Sequence, residues 1–297
     1  LTLTANLTPT VGTVSIKEMK KAIPVYDAYE TDVMLGYVSG YTSNSLSEER
    51  RNIKSLEKQF IATYDKTFSK VHNFNAMVGY EDYSYTYETM SGSTNDISLS
   101  SFPYLDLANK NALAVAGNSY QNAYRSFFGR VMYNYDSRYY LQLNAREDGS
   151  SRFHKDHRWG FFPSFSAGWR VSEEAFFTQA KNYVSNLKLR LSYGSLGNQK
   201  TVGYYDYLQL INTGAVMNYA FGDTTKGDYA YESAPNSTDL TWETVITKNI
   251  GLDLGFLNNR LNVSFDAYIR DTKDMLMAGK TLPGVYGASS PRTNVAD

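Results

Sequence analysis

The stretch Arg125–Arg146, RSFFGRVMYNYDSRYYLQLNAR, decides the fold. Taken at every second position, Phe127, Gly129, Val131 and Tyr133 share one side before Asp136. Tyr139, Leu141, Leu143 and Ala145 do the same after it. This is the period of a strand whose two faces meet different media. The connecting N-Y-D-S-R is short and carries Asn, Asp and Ser, residues suited to a tight turn. The question it raises is what touches the apolar side.

The pattern recurs outward from this hairpin. One side collects Phe74, Ala76, Val78 and Tyr80, and further on Pro163, Phe165, Ala167 and Trp169. Leu187, Leu189, Leu191 and Tyr193 follow, then Ile250, Leu252, Leu254 and Phe256, then Leu261, Val263, Phe265, Ala267 and Ile269. None of these positions is charged, although a chain with 20% charged residues would place about six there. The opposite parity carries Glu81, Arg130, Arg146, Arg170, Lys188, Arg190, Asp253, Asp266 and Arg270. A less regular strand is expected over Phe60–Tyr64 and another near Val33–Tyr41. One face avoids charge.

Composition narrows the classes. Lys and Arg (29) nearly balance Asp and Glu (30), which argues against a general nucleic-acid binder. Without cysteine there is neither a disulfide framework nor thiolate chemistry. No run of about 18 apolar residues offers a transmembrane helix. No signal peptide opens the chain, and a start at Leu1 reads as a cut. Tyrosine is abundant (26, with 15 Phe) while mean hydropathy stays at -0.44. A soluble β-sandwich and a membrane barrel share that signature.

The connections separate the two. Asn134–Arg138 and Leu257–Arg260 are tight, whereas Ser91–Asn122, Glu147–Phe161 and Ser195–Thr241 run to roughly 30, a dozen and 45 residues. Alternation of short and long connections is the habit of an outer-membrane barrel, with its short periplasmic turns and longer outer loops. Tyr133, Tyr135, Tyr139, Phe161, Phe162 and Trp169 suit the aromatic girdle of such a barrel. Lipid cannot satisfy backbone hydrogen bonds, so spanning strands must close into a ring. An Arg or Lys facing lipid at mid-depth costs about 2–4 kcal/mol, which accounts for the charge-free parity. The expected fold is all-β: an antiparallel transmembrane β-barrel, with about eight or nine strands in this chain.

Motifs in order resemble the SusC/RagA family of TonB-dependent outer-membrane transporters. They begin with Arg146-Glu147-Asp148-Gly149-Ser150-Ser151-Arg152-Phe153, then Arg158-Trp159-Gly160, Phe162-Pro163-Ser164, Ser166-Ala167-Gly168-Trp169-Arg170 and Ser172-Glu173-Glu174. Leu187-Lys188-Leu189-Arg190, Ser192-Tyr193-Gly194 and Gly197-Asn198-Gln199 follow. Leu240-Thr241-Trp242-Glu243, Asn249-Ile250-Gly251-Leu252-Asp253 and Asn258-Asn259-Arg260-Leu261 complete the series. The likeness runs from about Phe60 to the end. Glu147 is a variant within the family's usual Arg-Arg-Asp-Gly or Arg-x-Asp-Gly.

The resemblance implies import of oligosaccharide or peptide fragments through a plugged barrel of about 22 strands. It implies a SusD-like surface lipoprotein as lid, energy from the TonB complex, outer-membrane lipid around the wall, and no enzyme activity. Residues 1–297 then belong to one barrel domain, with the signal peptide, plug and C-terminal strands expected outside them. An outer-membrane structural or adhesive barrel, and a secreted β-rich carbohydrate-binding module, are the alternatives.

Chemistry-bearing clusters have plainer readings. His154 and His157 sit in a Gly-Ser loop without a third nitrogen or sulfur ligand, so a solvated loop tied by Arg152 and Asp148 is expected rather than a metal site. Glu173 and Glu174 read as acids at the start of a short helix, Glu173–Ala180. Glu48–Lys58 reads as a solvated loop or short helix. Gly194–Gln199 lacks the GK[ST] ending of a phosphate loop, and no G-x-S-x-G is present. No catalytic residue, cofactor or metal is called for. Tyr204, Tyr205, Tyr207, Tyr219, Phe221, Tyr229 and Tyr231 are candidate ligand or lid contacts, because aromatics beside polar groups stack on sugars or pack on peptide. Ordinary loop packing is the competing account.

Overall fold

The computed structural model describes residues 1–214, 229–233 and 235–296. In chain order the strands are β1 (Thr2–Lys20), β2 (Pro24–Tyr26), β3 (Met34–Tyr37), β4 (Ser45–Phe68), β5 (His72–Thr94), β6 (Leu113–Tyr135), β7 (Tyr139–Ser150) and β8 (Trp159–Arg170). They continue with β9 (Val184–Asn198), β10 (Ile211–Gly214), β11 (Tyr229–Glu232), β12 (Glu243–Phe256), β13 (Leu261–Lys273), β14 (Met275–Ala278) and β15 (Arg292–Ala296). Helical structure among the described residues is confined to short 3₁₀ turns, and no helix is long and apolar enough to cross a membrane. The main sheet has the order β1-β4-β5-β6-β7-β8-β9-β12-β13, so sequential strands lie side by side.

The chain divides into two compact units. The first comprises Leu1–Leu7, Lys58–Tyr83 and everything from Ala123 onward. Here the register lines up the apolar parity across strands: Tyr133, Leu141, Ala167, Leu191, Ile250 and Ala267 are successive partners in one row. Another row runs Tyr135, Tyr139, Trp169, Leu189, Leu252 and Phe265. Many of these side chains are exposed, Ile250, Leu191 and Phe265 among them. An exposed apolar surface of this extent needs a non-aqueous neighbour. Its height fits hydrocarbon: eight residues separate Tyr139 from Glu147, about 27 Å of strand, or about 21 Å at a tilt near 40°. Charge returns toward the end where the long connections lie, with Glu147 on this parity and Lys248 reaching Asp271 at 4.0 Å; near the other end Lys66 on β4 shares the parity of Phe60 and Tyr64.

The tight connections share the other end. Ser69 and Lys70, Asp136 and Ser137, and Leu257 through Asn259 all take positive φ. That backbone twist matches the twist of the flanking strands. The β8–β9 connection joins them with three separate 3₁₀ turns, Val171–Glu173, Ala175–Phe177 and Ala180–Asn182. The helix expected over Glu173–Ala180 is therefore not formed. Ser172 and Val171 are buried at its start, and the segment turns back instead of propagating. Among the proposed girdle aromatics, Phe161 is 63% exposed, but Phe162 has the opposite parity and is only 7% exposed. Phe162 belongs to an interior cluster, not to the girdle.

The second unit comprises Thr8–Glu57 and Ser84–Asn122, parts of β1, β4, β5 and β6 with the β2–β3 hairpin. Leu46, Ile97 and Ala108 are buried there. Asn44 joins two connections, accepting from the Ala22 amide at 3.0 Å and donating to the Ile97 carbonyl at 3.2 Å. Glu48–Lys58 is neither loop nor helix but part of β4. Charge sits on both parities here, Glu48 pairing with Lys17 (2.9 Å) and Glu49 with Arg51 (2.7 Å), so no apolar period marked the strand. β1 escaped the sequence reading too, and the strand near Val33–Tyr41 is the short β3.

Candidate functional site

The motifs that are far apart in sequence converge in the first unit, at the end bearing the long connections. Arg146 on β7 donates to Asp148 (2.6 Å) and to the buried Ser126 hydroxyl (2.8 Å), with Glu81 at 3.4 Å. Its guanidinium lies 5.3 Å from the Phe128 ring centre. Gly149 is required beside Trp159, since a Cβ there would come within 2.9 Å of the indole. The Ser150 hydroxyl donates to the side-chain oxygen of Gln199. Ser151 Oγ accepts from the Ala123 amide at 2.9 Å. Arg152 donates to the Val202 carbonyl (2.5 Å) and the Gln199 carbonyl (3.3 Å), and its guanidinium stands 4.5 Å from the Tyr204 ring centre.

Phe153, fully buried, meets the Trp242 ring at 5.1 Å, and Phe162 meets it edge-on at 5.5 Å. Val202, Leu240 and Leu276 complete this small core. The Trp242 indole donates to the Arg158 carbonyl at 2.9 Å. Glu243 is buried, and its carboxylate accepts from Asn198 (2.7 Å) and from the Leu276 amide (2.9 Å). A buried carboxylate is tolerable only when so satisfied. Asn294 holds both the amide and the carbonyl of Thr241 at 3.0 Å. The arrangement ties three connections, with β14 and β15, into one platform that positions groups.

On the polar parity, Arg190 forms paired hydrogen bonds with Asp253 (2.8 and 3.0 Å) and with Asp266 (3.0 and 3.1 Å). Ser264 and Asn249 add donors to these two carboxylates. A concavity of about 600 Å³ adjoins this cluster, where carboxamides and hydroxyls such as Asn75, Gln142 and Ser192 stand beside Asp65, Lys188 and Arg190 and beside apolar Phe74 and Met132. The polar side chains among them suit a wet or protein-filled interior.

At the opposite end Glu174 accepts from the Tyr139 hydroxyl (2.6 Å) and the Trp169 indole (3.0 Å), with Arg138 at 3.8 Å. The Tyr139 hydroxyl first, and the Trp169 indole after it, hold the Glu174 carboxyl below the usual carboxylate range. Sequence reasoning missed this clasp; its only signal was two indole- or phenol-bearing strand ends near a Glu-Glu pair.

Of the candidate contact residues, Tyr204, Tyr205 and Tyr207 lie in the β9–β10 connection and Tyr229 and Tyr231 in β11. Tyr204 is engaged by Arg152, and Tyr207 lies 6.2 Å from the His154 ring. Tyr205 is exposed, as is Tyr231 in the β10–β11 hairpin, where Tyr229 pairs with Gly214. Tyr219 and Phe221 lie outside the described residues. His154 approaches Asp156 at 3.2 Å and His157 approaches Asp239 at 3.7 Å, so the two histidines engage different carboxylates.

Comparison with known proteins agrees with this geometry. The family described as "TonB dependent receptor-like, beta-barrel" matches residues 11–297. The TonB-dependent receptor SusC of Bacteroides thetaiotaomicron is 42% identical over 163 residues, 54% of this chain and 16% of that protein. A TonB-dependent receptor of Formosa agariphila is 30% identical over 269 residues, 90% of this chain and 26% of that protein. The RagAB peptide transporter structure superposes with a TM-score of 0.77 at 27% identity, covering 99% of this chain and 30% of that one. Its 'open-open' state gives 0.78. The chain thus spans between about a sixth and a third of the proteins it matches. It belongs to the TonB-dependent receptors, of the SusC/RagA type, and forms part of their β-barrel.

Proposed function

We propose that this chain is a section of barrel wall in an outer-membrane importer of oligosaccharide or peptide fragments. The whole of it belongs to one barrel domain. A plug, the coupling to TonB, and a SusD-like lipoprotein over the long connections belong to the complete assembly. The observation that carries the reading is the two-faced sheet: an exposed, mainly apolar face about 21 Å high backed by a polar face holding Arg190, Asp253 and Asp266. An adhesive or structural barrel would share the first face. The carboxamides and charged groups lining the concavity, and the likeness to a peptide transporter, favour passage of a polar solute.

The test uses the full-length protein in its own host. Deleting its gene is expected to abolish growth on one defined glycan or peptide source, with restoration on re-expression. Recovery of the full-length product in the soluble fraction without detergent would overturn the reading. So would unchanged growth across the glycan and peptide sources of its habitat.

A further inference from the structure

We propose that Tyr85, Tyr87 and Tyr120, with Glu49, Arg51 and Thr89, form a binding surface for a neutral oligosaccharide on the second unit. This rests on the import reading above and selects one of its two cargo classes. All of these residues lie within Thr8–Glu57 and Ser84–Asn122. Tyr85 and Tyr87 continue the parity of Glu81 along β5, opposite to that of Phe74, Val78 and Tyr80, and lead into the long β5–β6 connection.

Tyr120 on β6 stacks on Tyr87 with ring centres 4.7 Å apart and planes 21° from parallel, and it meets Tyr85 at 6.1 Å and 31°. The rings are half-buried, so packing fixes their angle while part of each stays open. A ring already held in place loses little entropy when a ligand settles on it. Its electron-rich face suits the polarised C–H bonds of a pyranose. Thr89, next after Tyr87 on that side of β5, donates to Glu49 at 2.9 Å, and Arg51 donates to both oxygens of Glu49 at 2.7 and 2.9 Å. A guanidinium offers about five N–H donors and a carboxylate about four acceptor positions, so the pair keeps some of each for sugar hydroxyls.

Charge and main chain select the cargo. From Tyr83 to Ser93 on this parity of β5, and from Asn118 to Asn122 on that of β6, every residue is Tyr, Thr, Ser or Asn. On β4 Glu49 and Arg51 neutralise each other, Arg50 and Lys54 take the opposite parity, and Glu57 adds an acid about 20 Å of strand from Arg51. On β1 Lys20 pairs with Glu18 at 3.6 Å. No unmatched cation on this face draws an anionic glycan. A peptide seeks main-chain partners as well, and β5 is already paired on both sides, by β4 and β6.

The test is calorimetric titration of the full-length protein in detergent. Maltohexaose, xylohexaose, mannohexaose and laminarihexaose are the neutral probes, hexagalacturonate the anionic one and hexaalanine the peptide. At least one neutral hexaose is expected to bind about tenfold or more tightly than hexagalacturonate or hexaalanine. Tyr87→Ala and Tyr120→Ala should each weaken it about tenfold. Tyr87→Phe keeps the ring and should stay within about threefold. Tyr87→Leu keeps the bulk without the ring and should bind as weakly as Tyr87→Ala. If Tyr87→Leu binds like the unchanged protein, the ring only packs and the site is wrong. Binding of no neutral hexaose, or preference for hexagalacturonate or hexaalanine, overturns the ligand class, and the import reading then still stands on the growth test. If deleting the gene alters growth on no source while a hexaose still binds through Tyr87, the import reading falls and the site remains.

Discussion

Arg190 and Asp266 meet across Gly251. The three residues are successive partners on β9, β12 and β13, and the guanidinium reaches over the glycine to hold the carboxylate through two bonds of 3.0 and 3.1 Å. A Cβ at position 251 would sit 2.6 Å from the Arg190 guanidinium carbon. Gly251→Ala should therefore displace Arg190 from Asp266 while leaving its bonds to Asp253, a small loss of stability. Arg190→Ala should cost more, because Asp253 and Asp266 then both lose the guanidinium they share. Asparagine at both acids should recover part of that loss. The check is the urea unfolding midpoint of the full-length protein in vesicles. Equal midpoints for all these variants would show that the cluster contributes nothing.

Leu191 sits between Ala167 and Ile250 in the apolar row. Leu191→Arg should destabilise the inserted protein by about 2–4 kcal/mol, the penalty for a cation near mid-depth. Lys248→Arg, at the end of the same face where a charge already stands beside Asp271, should stay within about 0.5 kcal/mol. Denaturant titration in vesicles measures both. A soluble sheet would reverse the ranking, tolerating an exposed arginine at position 191.

The hydrophobic period made most of the wall legible, because lipid punishes every charge on one parity and so writes itself into Leu189, Ile250 and Phe265. It fell silent where that pressure ends. Glu48, Glu49, Arg50 and Arg51 alternate nothing, yet they form strand because neighbours on β1 and β5 supply partners such as Lys17 and Thr89. The motif from Arg146 to Phe153 was visible as a string, but not what it does. Its partners Gln199, Val202 and Trp242 lie tens of residues away, and only the fold brings them to Ser150, Arg152 and Phe153. Phe162 shows the same limit on a small scale. Adjacent to the exposed Phe161, it is buried only because a strand turns successive side chains to opposite faces.

The platform at the long connections predicts separable effects. Phe153→Ala removes the fully buried ring against Trp242 and should cost about 3–5 kcal/mol. Arg152→Ala removes the guanidinium donor from the Val202 carbonyl, leaves the Gln199 carbonyl with only the Val202 amide of its two donors, and takes the cation from Tyr204. It should act locally, speeding hydrogen exchange at residues 199–206 about tenfold or more while the midpoint moves little, since a charged hydrogen bond is worth about 1.5–3 kcal/mol. Exchange read by mass spectrometry distinguishes the two. A global shift from Arg152→Ala would mean that the loop and the wall unfold together.

Glu174 makes stability at the tight-turn end depend on pH. Its carboxyl is held below the ordinary range by Tyr139 and then Trp169, so the folded protein binds the proton less readily than the unfolded chain. The sign follows directly: the contribution is complete above the ordinary glutamate value of about 4.3, and it is lost as pH falls through the lower folded value. Glu174→Gln keeps the shape and removes the charge. Its unfolding midpoint should lie below that of the unchanged protein at pH 7, and the gap should close as both are titrated down toward pH 3. Other carboxylates titrate in the same window, but they do so in both proteins and cancel in the difference. A gap of the same size at pH 7 and pH 3 would show that the Tyr139 and Trp169 donors do not discriminate between a carboxylate and a neutral acceptor.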